Sequence, residues 1–186
     1  MQVCARLAAE DLFTYRQIAQ SVILKKGLRK LDYTPFDSHT AVSMAVRRYA
    51  HGVKTDIISY LKEKLQLGER FSITTDECTA KNLHRFADVN IHFPREEPRC
   101  IGMIRIRGSF TAEAAVESLE QKLRDFSLDI NTDIVGTTTD GASVMVAMGP
   151  KLPTIHQLCH AHGIHLAVVA VVYQVRSVNA CRRGLN

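Results

Sequence analysis

The spacing of apolar residues is helical up to about residue 68 and changes to a period of two at residue 71. In "YRQIAQSVILKKGLRKL" Ile18, Val22 and Leu24 fall on roughly one side, so residues 5–31 read as a weak helix that Gly27 interrupts. Pro35 in "DYTPF" disfavours helix at Thr34 and breaks the chain there. A stronger helix follows, in which Val42, Val46, Tyr49, Val53, Ile57, Leu61 and Leu65 recur at steps of three and four. Asp37 or Ser38 is its expected N-cap, Gly52 a point at which it can divide, and Gly68 its stop.

From Phe71 the alternation is that of strands. "FSITTD", "RFADVNIHF" and "CIGMIRIRG" read as three of them, and the two prolines of "HFPREEPRC" make a hairpin of the last two. "TAEAAVESLEQKLRDF" returns to helix, capped by Thr111 and burying Ala112, Ala115, Val116, Leu119, Leu123 and Phe126. "TDIVGTTTD" is a fourth strand, "GASVMVAMG" a short helix ended at Gly149 and Pro150, and "TIHQLCHAH" a fifth strand. "GIHLAVVAVVY" is apolar throughout and fits helix or strand equally. Three strands, helix, strand, helix, strand, helix is an α/β order in which an antiparallel meander feeds parallel crossovers. It is the opening order of ribonuclease H-like folds. The expected organisation is a basic helical region over residues 1–68 and a partial ribonuclease H-like domain over 69–186.

Composition narrows the class. With 186 residues, 46% of them hydrophobic, 23% charged and no low-complexity tract, the chain can bury a core. Five scattered cysteines, an odd number, do not form the disulfide framework of a small secreted domain, so a reducing compartment is expected. The N-terminus carries no cationic stretch followed by an apolar one, and the most apolar segment, from Ile164, falls short of the roughly 20 residues that span a bilayer. No membrane partner is expected, and the location is cytosol or nucleus. Residues 1–70 hold 12 Lys and Arg against 7 Asp and Glu, whereas residues 71–186 hold 12 against 12. The excess of +5 therefore sits in the first third, where a basic surface would suit a polyanion and an ordinary solvated helical face would give the same count.

The candidate chemistry lies at two strand ends. Asp76 closes "FSITTD", and 64 residues further on Asp140 closes "DIVGTTTD". In an open α/β sheet ligands bind beyond the carboxyl ends of the strands, so the fold would bring the two carboxylates together. Such a pair is costly without a cation, and magnesium favours a few carboxylates plus substrate phosphates. The competing reading makes Asp140 an N-cap and Asp76 a turn residue. A third feature, "HQLCHAHGIH", sets Cys159, His160, His162 and His165 within seven residues, just after His156. A structural zinc is not expected, because four ligands are needed and Cys181 is the only later cysteine. Two readings remain: histidines that satisfy backbone carbonyls at a strand-to-helix turn, or a histidine directed at a nucleic-acid phosphate.

"SITTDECTA", a hairpin ending in "NIHF", "VGTTTDGASVM" and "LCHAHGIHLAVV", in that order, resemble the hAT superfamily of DNA transposases (hobo, Ac, Tam3) and host proteins derived from them. The helical stretch from "DYTPF" onward is similar to the region before that family's catalytic domain, and the resemblance covers about residues 30–173. It implies a ribonuclease H-like nuclease core with an acidic triad, Asp76 first and Asp140 second, both holding Mg2+ or Mn2+. It also implies that Cys159 and His162, the Cys-x-x-His element, lie close to bound DNA. The family's third acid, a Glu, follows a large helical insertion; after Tyr173 this sequence has no acidic residue. Cys78, Ala80 and Gly141 stand where the family has Trp, Ser and often Asn. The expectation is a fragment of a hAT-like transposase, with family chemistry of metal-dependent DNA cleavage and strand transfer, not active alone. The alternative is a non-catalytic DNA-binding or regulatory protein of the same descent. Expected partners are DNA and a second copy or full-length transposase, and the expected location is the nucleus.

Overall fold

The computed structural model describes residues 14–80 and 83–183, with side chains as far as Val172. The chain divides into two compact units between Leu61 and Lys62.

The first unit is built from α1 (Tyr15–Gln20), α2 (Val22–Lys30) and most of α3 (His39–Gln66). Thr14 and Gln17 form a reciprocal capping box at the start of α1. The helix ends at Ser21, whose backbone is extended and whose hydroxyl accepts the Leu24 N–H at 3.2 Å to begin α2. The break expected at Gly27 thus falls at Ser21, because a serine that caps the next helix stops the chain more firmly than an interior glycine that costs about 1 kcal/mol. Residues 5–13 of that expected helix lie outside the described residues. Ser38, one of the two expected caps, accepts the Ala41 N–H at 3.1 Å. Asp37 instead binds Lys25 at 2.7 Å, and that ammonium holds its carboxyl below the usual range. The helix runs unbroken through Gly52 and stops where expected: Gly68 has φ +82°, and the Glu69 N–H reaches back to the Lys64 carbonyl. Ile18, Ala19, Leu28 and Val42 form this unit's core with Leu24, Phe36 and Val46 around them, while Val22 and Val53, expected on buried stripes, are exposed.

The second unit is a mixed α/β layer. Its strands are β1 (Phe71–Thr75), β2 (Glu77–Thr79), β3 (Arg85–His92), β4 (Arg99–Ile106), β5 (Ile134–Thr139) and β6 (Ile155–Leu158). Its further helices are α4 (Ala112–Arg124), α5 (Ser143–Met148) and α6 (His160–Arg183), so the ambiguous apolar segment is helical. The order across the sheet is β4-β3-β1-β5-β6, with β2 also on β3. β1, β3 and β4 pair antiparallel, whereas β1, β5 and β6 run parallel.

Sequence alternation decides the faces. Phe71, Ile73 and Thr75 of β1, Ala87, Val89 and Ile91 of β3, and Thr137 and Thr139 of β5 are buried on one side. The α4 stripe of Ala112, Ala115, Leu119 and Leu123 is buried too, with Thr111 capping it at the Ala114 N–H as expected; Val116 is only half-buried. α4 contacts β4, α5 and the 3-10 turn Gly149–Lys151. The other side of the sheet is polar and half-buried: Ser72, Thr74, Asp88, Asn90, His92 and Thr138.

Lys151 on that 3-10 turn binds Glu113 in the first turn of α4 at 2.8 Å, and the ammonium helps hold the Glu113 carboxyl at about 2. The folded pKa lies below the unfolded one, so the contribution is fully present above pH about 4.5 and fades as the pH falls towards 2. Both groups are largely exposed, which keeps the effect small. Thermal denaturation of Lys151→Met should show a slightly lowered melting temperature at pH 6 and a smaller difference from wild type at pH 2.

Candidate functional site

The geometry follows from one ladder. β1 and β5 pair in parallel, with Thr74 opposite Thr138 and Thr75 opposite Thr139. Asp76 and Asp140 each stand one residue past that last pair, so they occupy equivalent positions on neighbouring strands, whose spacing is about 4.8 Å. By the same parity they follow Ser72 and Thr74, and Gly136 and Thr138, on the polar side of the sheet. β1 is the strand from which the chain goes one way to β3 and, after α4, the other way to β5. The carboxylates therefore sit where the strand order reverses, the position at which open α/β sheets leave a crevice.

Each aspartate is held differently. Asp140 Oδ1 accepts the Ala142 N–H at 3.1 Å, a side-chain-closed turn that leads into α5. Asp140 thus closes a turn and is not the N-cap that the competing reading made it, because the N-cap of α5 is Ala142. Behind it, His156 Nε2 lies 2.9 Å from Thr139 Oγ1, which donates to the Asp140 carbonyl at 3.1 Å. The ring has room because residue 149 is glycine: a Cβ there would overlap His156 Nδ1, Cε1 and Cγ.

Asp76 is exposed, and no hydrogen bond or ion pair engages its carboxylate among the described residues. Its backbone is held from β3. The Asp88 N–H donates to the Asp76 carbonyl at 3.0 Å, and the Asp76 N–H donates to Asp88 Oδ1 at 2.8 Å. Asn90 Nδ2 binds Asp88 Oδ2 at 2.9 Å, and Thr74 Oγ1 lies 3.0 Å from His92 Nε2.

Cys159 joins the same row. Thr139 is opposite Leu158 on β6, and the Cys159 N–H donates to the Thr139 carbonyl at 2.7 Å, which sets Cys159 beside Asp140. His162, in the first turn of α6, brings its ring close to Gly141. The four residues singled out by sequence, Asp76, Asp140, Cys159 and His162, are thus placed along one end of the sheet, whereas His160 and His165 are exposed on α6. Sequence reasoning missed Asp88, whose only signal was its polar position in the alternation of "RFADVNIHF", and the service of His156 and Gly149 behind Asp140.

Chemically, Asp76 and Asp140 offer two hard oxygen donors on one face. That set suits Mg2+ or Mn2+, which are held by one or two carboxylates together with substrate phosphates. Among the described residues no group of three or more His, Cys, Asp or Glu side chains is placed to hold a metal ion. No described helix is long and apolar enough to cross a membrane. No protein-family model matches this chain, and no curated protein is detectably similar to it in sequence.

Gly149→Ala should displace the His156 ring and cost about 2 kcal/mol of stability, in the range of core overpacking. Chemical denaturation measures the loss. The double variant Gly149→Ala/His156→Ala should recover part of it.

Proposed function

We propose that the second unit is a ribonuclease H-like domain of hAT-transposase descent, whose ancestral chemistry is metal-dependent cleavage and transfer of DNA strands. The observation that carries the reading is the Thr75–Thr139 pairing, which puts Asp76 and Asp140 in equivalent places at the carboxyl ends of two parallel strands. The sheet order supports the fold assignment: an antiparallel meander of β1, β3 and β4 on one side and the parallel β5 and β6 on the other.

In this reading Asp76 and Asp140 hold Mg2+ or Mn2+. When bound, the ion supplies a Lewis acid for a phosphodiester oxygen and lowers the pKa of a coordinated water. The chain's own residues orient that site. Ala142 and the His156–Thr139 relay fix Asp140, β3 fixes the backbone of Asp76, and His162 and Cys159 border the row on the β6 side. A two-ion displacement asks for more ligands than two carboxylates, so the expected behaviour is metal-assisted retention of DNA with little turnover.

A second reading, a DNA-binding or regulatory protein without catalysis, is favoured by one observation. α2 carries Lys25, Lys26, Arg29 and Lys30 and no acidic residue, within the region that holds the chain's whole positive excess. Phosphate contacts by such residues release counterions and weaken with salt.

Fluorescence anisotropy with a labelled DNA duplex, with and without Mn2+, separates the two. The first reading expects Mn2+ to tighten binding, and Asp76→Ala and Asp140→Ala each to remove that gain while leaving the metal-free affinity in place. Binding that is salt-sensitive but indifferent to Mn2+ and to both substitutions would transfer the case to the second reading. A strand-nicking assay on the same samples reads any turnover.

A further inference from the structure

We infer that Asp88 is the positioning residue of the carboxylate pair: it anchors the backbone of Asp76 and aims its side chain at the space shared with Asp140. The inference rests on the two-carboxylate reading above for its purpose, and on an independent feature of the β1–β3 ladder for its mechanism.

That feature is an interruption. Thr74 faces Asn90 on one side of Asp76, and Glu77 faces Ala87 on the other, and both pairs belong to one register. β1 and β2 are therefore one extended run paired to β3, and Asp76 opposite Asp88 should be an ordinary member of it. In a regular narrow pair the two residues exchange both backbone hydrogen bonds. Here only half of the exchange survives. Asp88 still donates its N–H to the Asp76 carbonyl, but the Asp76 N–H is taken by the Asp88 carboxylate. A side chain has replaced its own main-chain carbonyl, and the strand is interrupted at the residue that must face a cation.

The substitution is stereochemically demanding. A side-chain oxygen that takes a backbone N–H competes with the ladder for it, so it can hold a local departure from ladder geometry. The Asn90 amide binds the second oxygen and fixes the carboxylate rotamer. With one oxygen on Asp76 N–H and the other on Asn90, both oxygens of Asp88 are engaged, while the Asp76 carboxylate is left exposed. What matters in this arrangement is an acceptor oxygen at the right reach, since an asparagine presents the same oxygen without the charge.

The test compares Asp88→Ala with Asp88→Asn in the full chain, reading Mn2+ affinity by electron paramagnetic resonance and protection of the Asp76 amide by hydrogen exchange. Asp88→Ala should weaken Mn2+ binding about tenfold, as loss of an outer-shell partner does, and should expose the Asp76 amide. Asp88→Asn should retain both within about threefold, the Asn90 amide turning over to meet it. Unchanged Asp76 protection in Asp88→Ala overturns the assignment. So does an Asp88→Asn variant as impaired in Mn2+ binding as Asp88→Ala, which would make the Asp88 charge itself the operative feature. If circular dichroism shows Asp88→Ala unfolded, Asn90→Ala releases the same carboxylate and should weaken Mn2+ binding in the same direction; unchanged binding then counts against the assignment. A wild-type chain that binds no Mn2+ defeats the carboxylate-pair reading, and the amide measurement then judges Asp88 alone.

Discussion

Parallel pairing of β1 with β5 fixes where the side chains of the candidate site stand. Side chains alternate along a strand, so a slip of one residue would move Asp140 to the opposite face from Asp76. The buried side of the two strands resists that slip: Phe71, Ile73 and Thr75 are set against Ile134, Thr137 and Thr139. The two buried threonines of β5 leave no orphaned hydroxyl: Thr137 meets Thr154 and Thr139 meets His156. The core therefore specifies the site through register, although no core residue belongs to it.

A structural role does not use up the lone pairs of an aspartate. Asp140 closes a turn with one oxygen and keeps lone pairs to spare, while Asp76 gives none of its carboxylate to the described scaffold. One is held locally, through two residues of its own chain, and the other from across the sheet. A turn-forming aspartate at the carboxyl end of a parallel strand is thus no argument against a ligand.

Much of this was readable from residue pattern, and the exceptions have physical reasons. The strands, the Thr111 cap, the α4 stripe apart from Val116 and the stop at Gly68 carry strong local signals and appear, although the expected fifth strand stops at Leu158 and the last residues of "TIHQLCHAH", from His160, open α6. Gly27 and Gly52 misled because an interior glycine weakens a helix without ending it, whereas Ser21 supplies a positive reason to restart. β2 was hidden because its existence depends on β3: "ECT" alone has no pattern, yet it continues a ladder already in register. Asp76 and Asp140 were legible as strand ends. Asp88 was not, since its bond to the Asp76 N–H arises only from the register of β1 and β2 on β3. Uniform apolarity left α6 undecided between helix and strand.

The separation of β1 and β5 has a kinetic side. Their pairing joins segments lying about a third of the chain apart, across β3, β4 and α4. The meander can assemble from neighbours, but Asp140 arrives beside Asp76 only when a long crossover has closed, an entropic step whose cost grows logarithmically with loop length. A cation that needs both carboxylates has almost nothing to bind in the unfolded ensemble, so it would act as a thermodynamic latch on the β1–β5 pairing.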